Sequence, residues 1–465
     1  MPVMKKRSSA LSFVFIIMAA LMGSCNGDKK VSANEDRKVP AHVNFTEHVA
    51  PILYDNCTVC HRPNGGAHFA FITYQDAKQY AGSMAFVTKE RMMPPWPADP
   101  HYTEFKGQRV LTQYEIDVLA LWAKEGAPEG PKDKMPALPH YPSSLAGAPD
   151  MTIAVAPFFM KAYASDKFLL VKVPYELPAD TFASLVEFVP GRNNVVHHVN
   201  GDMVKYVFEK KKIVFEGDRS ISMVEDTAGI VKAFQKMGLP NDDGSYPVLQ
   251  KSVVNYLPGA IGQIYPAGIG GYILPRKGAF LLNDIHYGFN GKNDITDTSY
   301  INIFFTKVPP NRPVQEFQLG TLGAAKVEPD MIILPNTVKN VSSHLKIAQD
   351  ISVLTINPHM HLLGKSFKAY ALKPNGDTIR LISIPRWDFN WQYFYTFKKM
   401  VKIPAGSTIV AEGVYDNTKD NLNNPFSPPQ VVTDQNGSMK ATDEMFQFIV
   451  TYLPYKEGDE QLSLE

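Results

Sequence analysis

The chain has 465 residues, 45% of them apolar and 20% charged, an ordinary globular composition with room for roughly two to four domains. Formal net charge is +1, and no basic block follows the N-terminus, so nucleic acid is not an expected partner.

Lys5, Lys6 and Arg7 precede the apolar run "LSFVFIIMAALM", which is too short for a comfortable membrane span and reads as a cleaved export signal over residues 1–24. The following "GSC" resembles the lipobox of bacterial lipoproteins, with Met22 where leucine is usual. That resemblance implies a lipid on Cys25. It also implies attachment to a membrane of the bacterial cell envelope, on the periplasmic or outer-membrane side. A plain secretory signal with an incidental cysteine is the alternative. The only other cysteines are Cys57 and Cys60. If these carry a cofactor, no structural disulfide remains, and core burial must hold the fold.

Residues 40–130 read as a small all-α domain around Cys57-Thr58-Val59-Cys60-His61. Two thiols at this spacing add to the vinyl groups of haem, and the adjacent histidine is then placed to bind iron. A redox CxxC would want a βαβ setting, and zinc would want a second ligand pair; the flanks offer neither. Phe45, Val49, Ile52 and Leu53 recur at helical spacing after a cap at Asn44 and Glu47, although Pro51 argues against one unbroken helix. A second helix starts at a Thr112–Glu115 capping box, carries Ile116, Leu119 and Trp122 as its stripe, and stops at Gly126. Between them, "RMMPPWPADP" resembles the axial-ligand loop of class I cytochromes c, which implies Met93 as the sixth iron ligand, with Met92 as competitor and His68 or His101 as bis-histidine alternatives. Residues 131–150 are Pro- and Gly-rich and read as a linker.

From residue 151 onward, period-two runs such as "KFLLVKV", "SYINIFFTKV", "SFKAYAL" and "STIVAEGVY" predict short antiparallel strands. Asn375-Gly376 predicts a hairpin. "VPPNRPV" at 308–314 divides the region into two antiparallel β-sandwich domains, 151–310 and 311–460.

Four clusters in this region carry metal-binding residue types. In "NPHMHLLGK", His359 and His361 are two apart, so a strand would put both imidazoles on one face with Val353, Thr355 and Asn357, and Leu354, Ile356, Met360 and Leu362 on the other. Two such imidazoles can converge on one ion; the alternative is a pair of surface histidines. His197 and His198 are adjacent, so they would face opposite ways and could share an ion only at a bulge, strand end or sheet edge. His286 in "LLNDIHYGF" reads alone as a hydrogen-bonded core residue, and Met445 in "TDEMFQFIVTY" as a gap-filling core methionine.

Taken in order, "VVHHV", the Pro- and Gly-rich stretch ending in "DIHYG", "HMHLLGK" and "TDEM" resemble the copper type II, ascorbate-dependent monooxygenases, over roughly residues 150–455. The resemblance implies two coppers on jelly-roll-like sandwiches: one held by His197, His198 and His286 that stores and delivers electrons, and one held by His359, His361 and Met445 where O₂ and a substrate C–H bond meet. Imidazole suits both copper oxidation states, and a thioether favours Cu(I). It further implies an external electron donor, ascorbate-like or a redox protein, and the fused haem segment suggests an internal relay to the all-histidine site. The pattern departs from the peptide-hydroxylating members. Asn357 stands where they read a substrate carboxylate with Arg, Gln447 and Ile449 replace Asn and Tyr, and the family's usual disulfides are missing. A neutral or apolar small-molecule substrate is therefore expected.

Overall fold

A computed structural model describes residues 37–465 except 142–143, 145, 165–166, 223–228, 259–263, 267, 289, 308 and 435–439. The export segment and Cys25 lie outside the described residues. Among the described residues, no helix is long and apolar enough to cross a membrane. The chain is mostly β-strand in antiparallel sheets, with few helices.

The longest helices lie before residue 130. Phe45–Val49 is wound as a π-turn that runs into the α-helix Ala50–Asn56. Pro51 falls in the first turn of the α-helical part, where its missing N–H costs nothing. Asn44 accepts from the Glu47 N–H at 2.9 Å. The helix Gln113–Lys124 has the full Thr112–Glu115 capping box and buries Ile116, Leu119 and Trp122, and Gly126 ends it at φ +83°. These helices share one apolar cluster with Val43, Phe71 and Ala127.

Among the described residues, the strands before residue 306 form a four-stranded sheet, a five-stranded sheet and a separate two-stranded pair. The two larger sheets feed one core: Ala183, Phe188, Ile301 and Ile303 from the four-stranded sheet meet Val171, Val173, Val199, Phe280 and Ile285 from the five-stranded one. Among the described residues, the strands after residue 314 form two four-stranded sheets and a separate two-stranded pair, and Phe367, Ala369, Ile382 and Ala411 pack against Val353, Ile356, Phe446 and Phe448. The hairpin at Asn375-Gly376 joins Gly364–Leu372 to Thr378–Ile384, with Gly376 at φ +89°.

One expectation needs correction. The strand Ile351–Met360 does not alternate evenly, because a register shift between Val353 and Thr355 inserts a bulge. Val353 therefore joins Ile356 and Met360 in the main core, while Leu354 turns into a separate cluster with Met400 and Leu453. Past the bulge the face holding Thr355, Asn357 and His359 is as expected, although every residue of this strand is buried. The strand ends at Met360, so Leu363, and not Leu362 as expected, enters the core, and Leu362 is only partly buried.

The segment after 308 is tied to the C-terminal tail. Arg312 donates to Asp459 Oδ1 at 2.6 Å and Oδ2 at 2.7 Å, and Ser352 Oγ donates to the same carboxylate at 2.6 Å. Burial alone would raise the Asp459 carboxyl, but the bonds from Arg312, Ser352 and the Lys456 N–H hold it down at about 2. Its folded value is thus below the unfolded one, so its stabilisation is present above about pH 4 and is lost as pH falls towards 2. Asp459→Asn should cost about 3 kcal/mol at neutral pH in urea unfolding. It should also flatten the loss of stability between pH 4 and 2; an unchanged acid profile would exclude this pair as its source.

Candidate metal centres

The all-histidine cluster is built by a bulge. Strand Val196–Lys205 pairs with Lys277–Tyr287, with Val196 opposite Tyr287 and His198 opposite His286. His197 is the extra residue between those two pairings. Adjacent strand residues normally face opposite sides, and the bulge is what lets His197 and His198 meet. His286 comes from the neighbouring strand and stacks on Phe168 at 4.4 Å with planes 10° apart. His197 lies 4.9 Å and His198 5.1 Å from His286, ring centre to ring centre. One nitrogen from each of the three rings lies within 4.8 Å of the others. Nitrogens about 2 Å from a common ion lie roughly 3–4 Å apart, so closing on a metal needs movement of only about an ångström. Three imidazoles fit copper in either oxidation state.

The second set forms at the end of the strand pair Ile351–Met360 and Phe446–Pro454, where Met360 sits opposite Phe446. Continuing that register by one residue sets Met445 opposite His361, on the face that carries His359. Met445 is 1% exposed, and its carbonyl accepts from Tyr415 Oη at 2.6 Å. The rings of His359 and His361 are 5.0 Å apart and nearly perpendicular. His361 Nδ1 donates to the Asp443 carbonyl at 3.0 Å, and His359 Nδ1 donates to Gln392 Oε1. Both bonds fix the tautomer that offers Nε2 to a metal. Two imidazoles beside a thioether suit Cu(I).

Glu444 clamps this arrangement. Its fully buried carboxylate accepts from the N–H groups of His361 at 2.9 Å and Leu363 at 2.7 Å, and from Met445 at 3.3 Å. Burial pushes its carboxyl up to about 8, against the pull of those three N–H groups. The clamp locks the end of the histidine strand to the methionine strand. Nothing in the periodicity marked Glu444. The segment 388–393 was missed as well: Gln392 orients His359, Phe389 packs edge-on against His361 at 5.7 Å, and Trp391 lies 5.9 Å from His197. It is irregular, so no period could flag it, and its only sequence signal is the aromatic density of "WDFNWQYFY". Asn357 donates to the Tyr393 carbonyl at 3.0 Å, which commits its amide to the fold. Gln447 donates to the Thr321 carbonyl at 3.1 Å.

The Cys57–His61 segment continues the first helix by about a turn, with His61 N–H on the Cys57 carbonyl at 2.9 Å. Both thiols are free and half-buried, and burial pushes the Cys57 thiol up to about 12, with Cys60 and Glu115 adding. His61 Nδ1 donates to the Phe69 carbonyl at 3.2 Å, and the ring stacks on Phe71 at 4.7 Å. Two cysteines within one turn and an imidazole oriented through Nδ1 fit a covalently attached haem. Met92 and Met93 are both exposed, at 50% and 38%, so burial does not separate them. His68 and His101 are also exposed.

Residues 320–460 match a family model described as copper type II ascorbate-dependent monooxygenase, C-terminal domain. The matched part holds His359, His361 and Met445, and the family is one of copper oxidoreductases that use O₂, a substrate and an ascorbate-like reductant. Comparison with curated proteins gave no match.

Glu444→Gln should lower unfolding free energy by about 2 kcal/mol, because the NH2 of the amide would face an N–H from which a carboxyl oxygen now accepts. Added copper should bind more weakly at the His359–His361–Met445 set, with binding at the His197–His198–His286 set unchanged. Chemical denaturation and copper stoichiometry measure both, and a variant with native stability and native copper would remove the clamp.

Proposed function

We propose that the protein is an exported dicopper monooxygenase that hydroxylates a C–H bond of a neutral small molecule with O₂, supplied with electrons through a fused c-type haem. The observation that carries this reading is the convergence of His197, His198 and His286, three residues scattered over 90 positions, to within 4.8 Å of one another. The family match at 320–460 supports the second ligand set independently. Under this reading residues 1–24 are a lipoprotein signal with Cys25 lipidated, 40–130 a cytochrome c domain, 131–150 a linker, and 151–310 and 311–460 two copper-binding β-sandwiches.

Monooxygenation joins one oxygen atom to carbon and releases the other as water, which takes two electrons and two protons beyond those of the substrate bond. Copper held in the two sets would supply one-electron redox chemistry, and the thioether of Met445 would favour its reduced form. The protein's part is to hold ligands in place. Gln392 and the Asp443 carbonyl fix the two imidazoles of the methionine site, and Glu444 fixes the backbone between them. His197, His198 and His286 form the electron-storing set. Cys57 and Cys60 would hold the haem covalently, and His61 and Met93 would ligate its iron. With Asn357 bound to the Tyr393 carbonyl, that position offers no guanidinium fork for a carboxylate, which favours a neutral substrate.

Metal analysis of purified protein should give about two coppers and one iron per chain, following the ligand sets. Met445→Ala should abolish substrate-dependent O₂ uptake while keeping the all-histidine copper. Native O₂ uptake in that variant would take Met445 out of the site, and copper binding without any O₂ uptake in the unmodified protein would leave an electron-transfer protein.

A further inference from the structure

The segment that follows the candidate haem motif is docked on the C-terminal sheets. The Pro95 carbonyl accepts from Tyr393 Oη at 2.7 Å, the Asp99 N–H donates to the Ser383 carbonyl at 2.8 Å, and the Lys106 N–H donates to the Thr396 carbonyl at 2.8 Å. Ala98 and Phe105 are buried in the core of those sheets rather than among the helices. The loop after His61 touches the other half of the β region, where Asn193 donates to the Asn64 carbonyl and a Cβ on Gly66 would meet Pro258 at 2.6 Å. The helical unit therefore sits against both β units, near the seam where the all-histidine cluster lies.

Across that seam runs a continuous file of aromatic rings. Trp96, three residues after Met93, packs against Tyr393 at 5.2 Å. Tyr393 stacks on Trp391 at 6.2 Å with planes 16° apart. Trp391 reaches His197 at 5.9 Å. The end of the file nearest the candidate haem ligand Met93 is held by the Tyr393 bond to the Pro95 carbonyl, two residues further on, and the other end meets a candidate copper ligand.

We infer that Trp96, Tyr393 and Trp391 form the electron route from the covalently held haem to the His197–His198–His286 site. The inference rests on the haem and copper assignments proposed above. Along this file one electron leaves a ferrous haem, which becomes ferric, and reaches a cupric ion, which becomes cuprous; no atom or proton is transferred. An enediol or redox-protein donor restores the ferrous haem. Trp391 adjoins Gln392 and lies on the same segment as Phe389, so the route ends on the stretch that also shapes the methionine site.

The test is anaerobic photoreduction of the haem in copper-loaded protein, followed by haem reoxidation in its visible bands. Trp391→Leu should slow reoxidation about tenfold, with the haem midpoint potential and the Cu(II) EPR signal unchanged. Trp391→Phe, which keeps a ring, should recover most of the rate. Tyr393→Leu should be slow and Tyr393→Phe near native, since only the bond to Pro95 is lost. If Trp391→Leu lost its copper, the Tyr393 pair would decide. Leucine variants at both positions with native rates would overturn the route while leaving the function standing. No haem reoxidation in the unmodified protein with Cu(II) bound would overturn the haem supply itself, and the route with it.

Discussion

A single extra residue in the strand Val196–Lys205 sets the geometry on which the all-imidazole cluster depends. Without the bulge at His197, that ring and the ring of His198 would lie on opposite faces of the sheet, one in the core and one outside. With it, both converge on His286, whose own position is fixed by its pairing with His198 and its stack on Phe168. His198 and His286 are buried, at 5% and 4% exposure, and His197 is partly buried beside them. The rigid parts of the site are strands, which hold side chains more closely than loops do.

The two ligand sets are assembled differently. The first uses a bulge between neighbouring strands of one sheet. The second uses the end of a strand pair, closed by Glu444, whose carboxylate replaces the ladder bonds that stop at Met360. Between them lies the irregular segment 388–393, and alternate functions fall to successive residues along it. Phe389 and Gln392 face the His359–His361 side and Trp391 the His197 side. That placement makes the segment the physical link between a site on one pair of sheets and a site on the other.

Local signals in the sequence were reliable where a short-range rule governs the chain. The Thr112–Glu115 box, the Gly126 stop and the Asn375-Gly376 turn are all decided within a few residues. The pairing of His359 with His361 also followed from spacing, since no irregularity falls between them. The same rule misplaced Val353 and Leu354, because a bulge is set by the partner strand and leaves no mark in one strand's alternation. Bringing His286 to His197 and His198 needed the pairing of strands 80 residues apart, which spacing cannot predict and only the ordered resemblance of four motifs suggested. Trp391, Gln392 and Glu444 went unseen because their roles lie in contacts to distant residues. The choice between Met92 and Met93 rests on the loop's likeness to known axial loops, since the fold leaves both exposed.

The central claim is that six side chains gather into two distinct copper sites. Crystals grown with copper, with data collected on both sides of the copper absorption edge, test it most directly. The account predicts two anomalous peaks per chain, one in bonding contact with His197, His198 and His286, the other with His359, His361 and Met445. A single peak, or strong peaks elsewhere with either set bare, would contradict it.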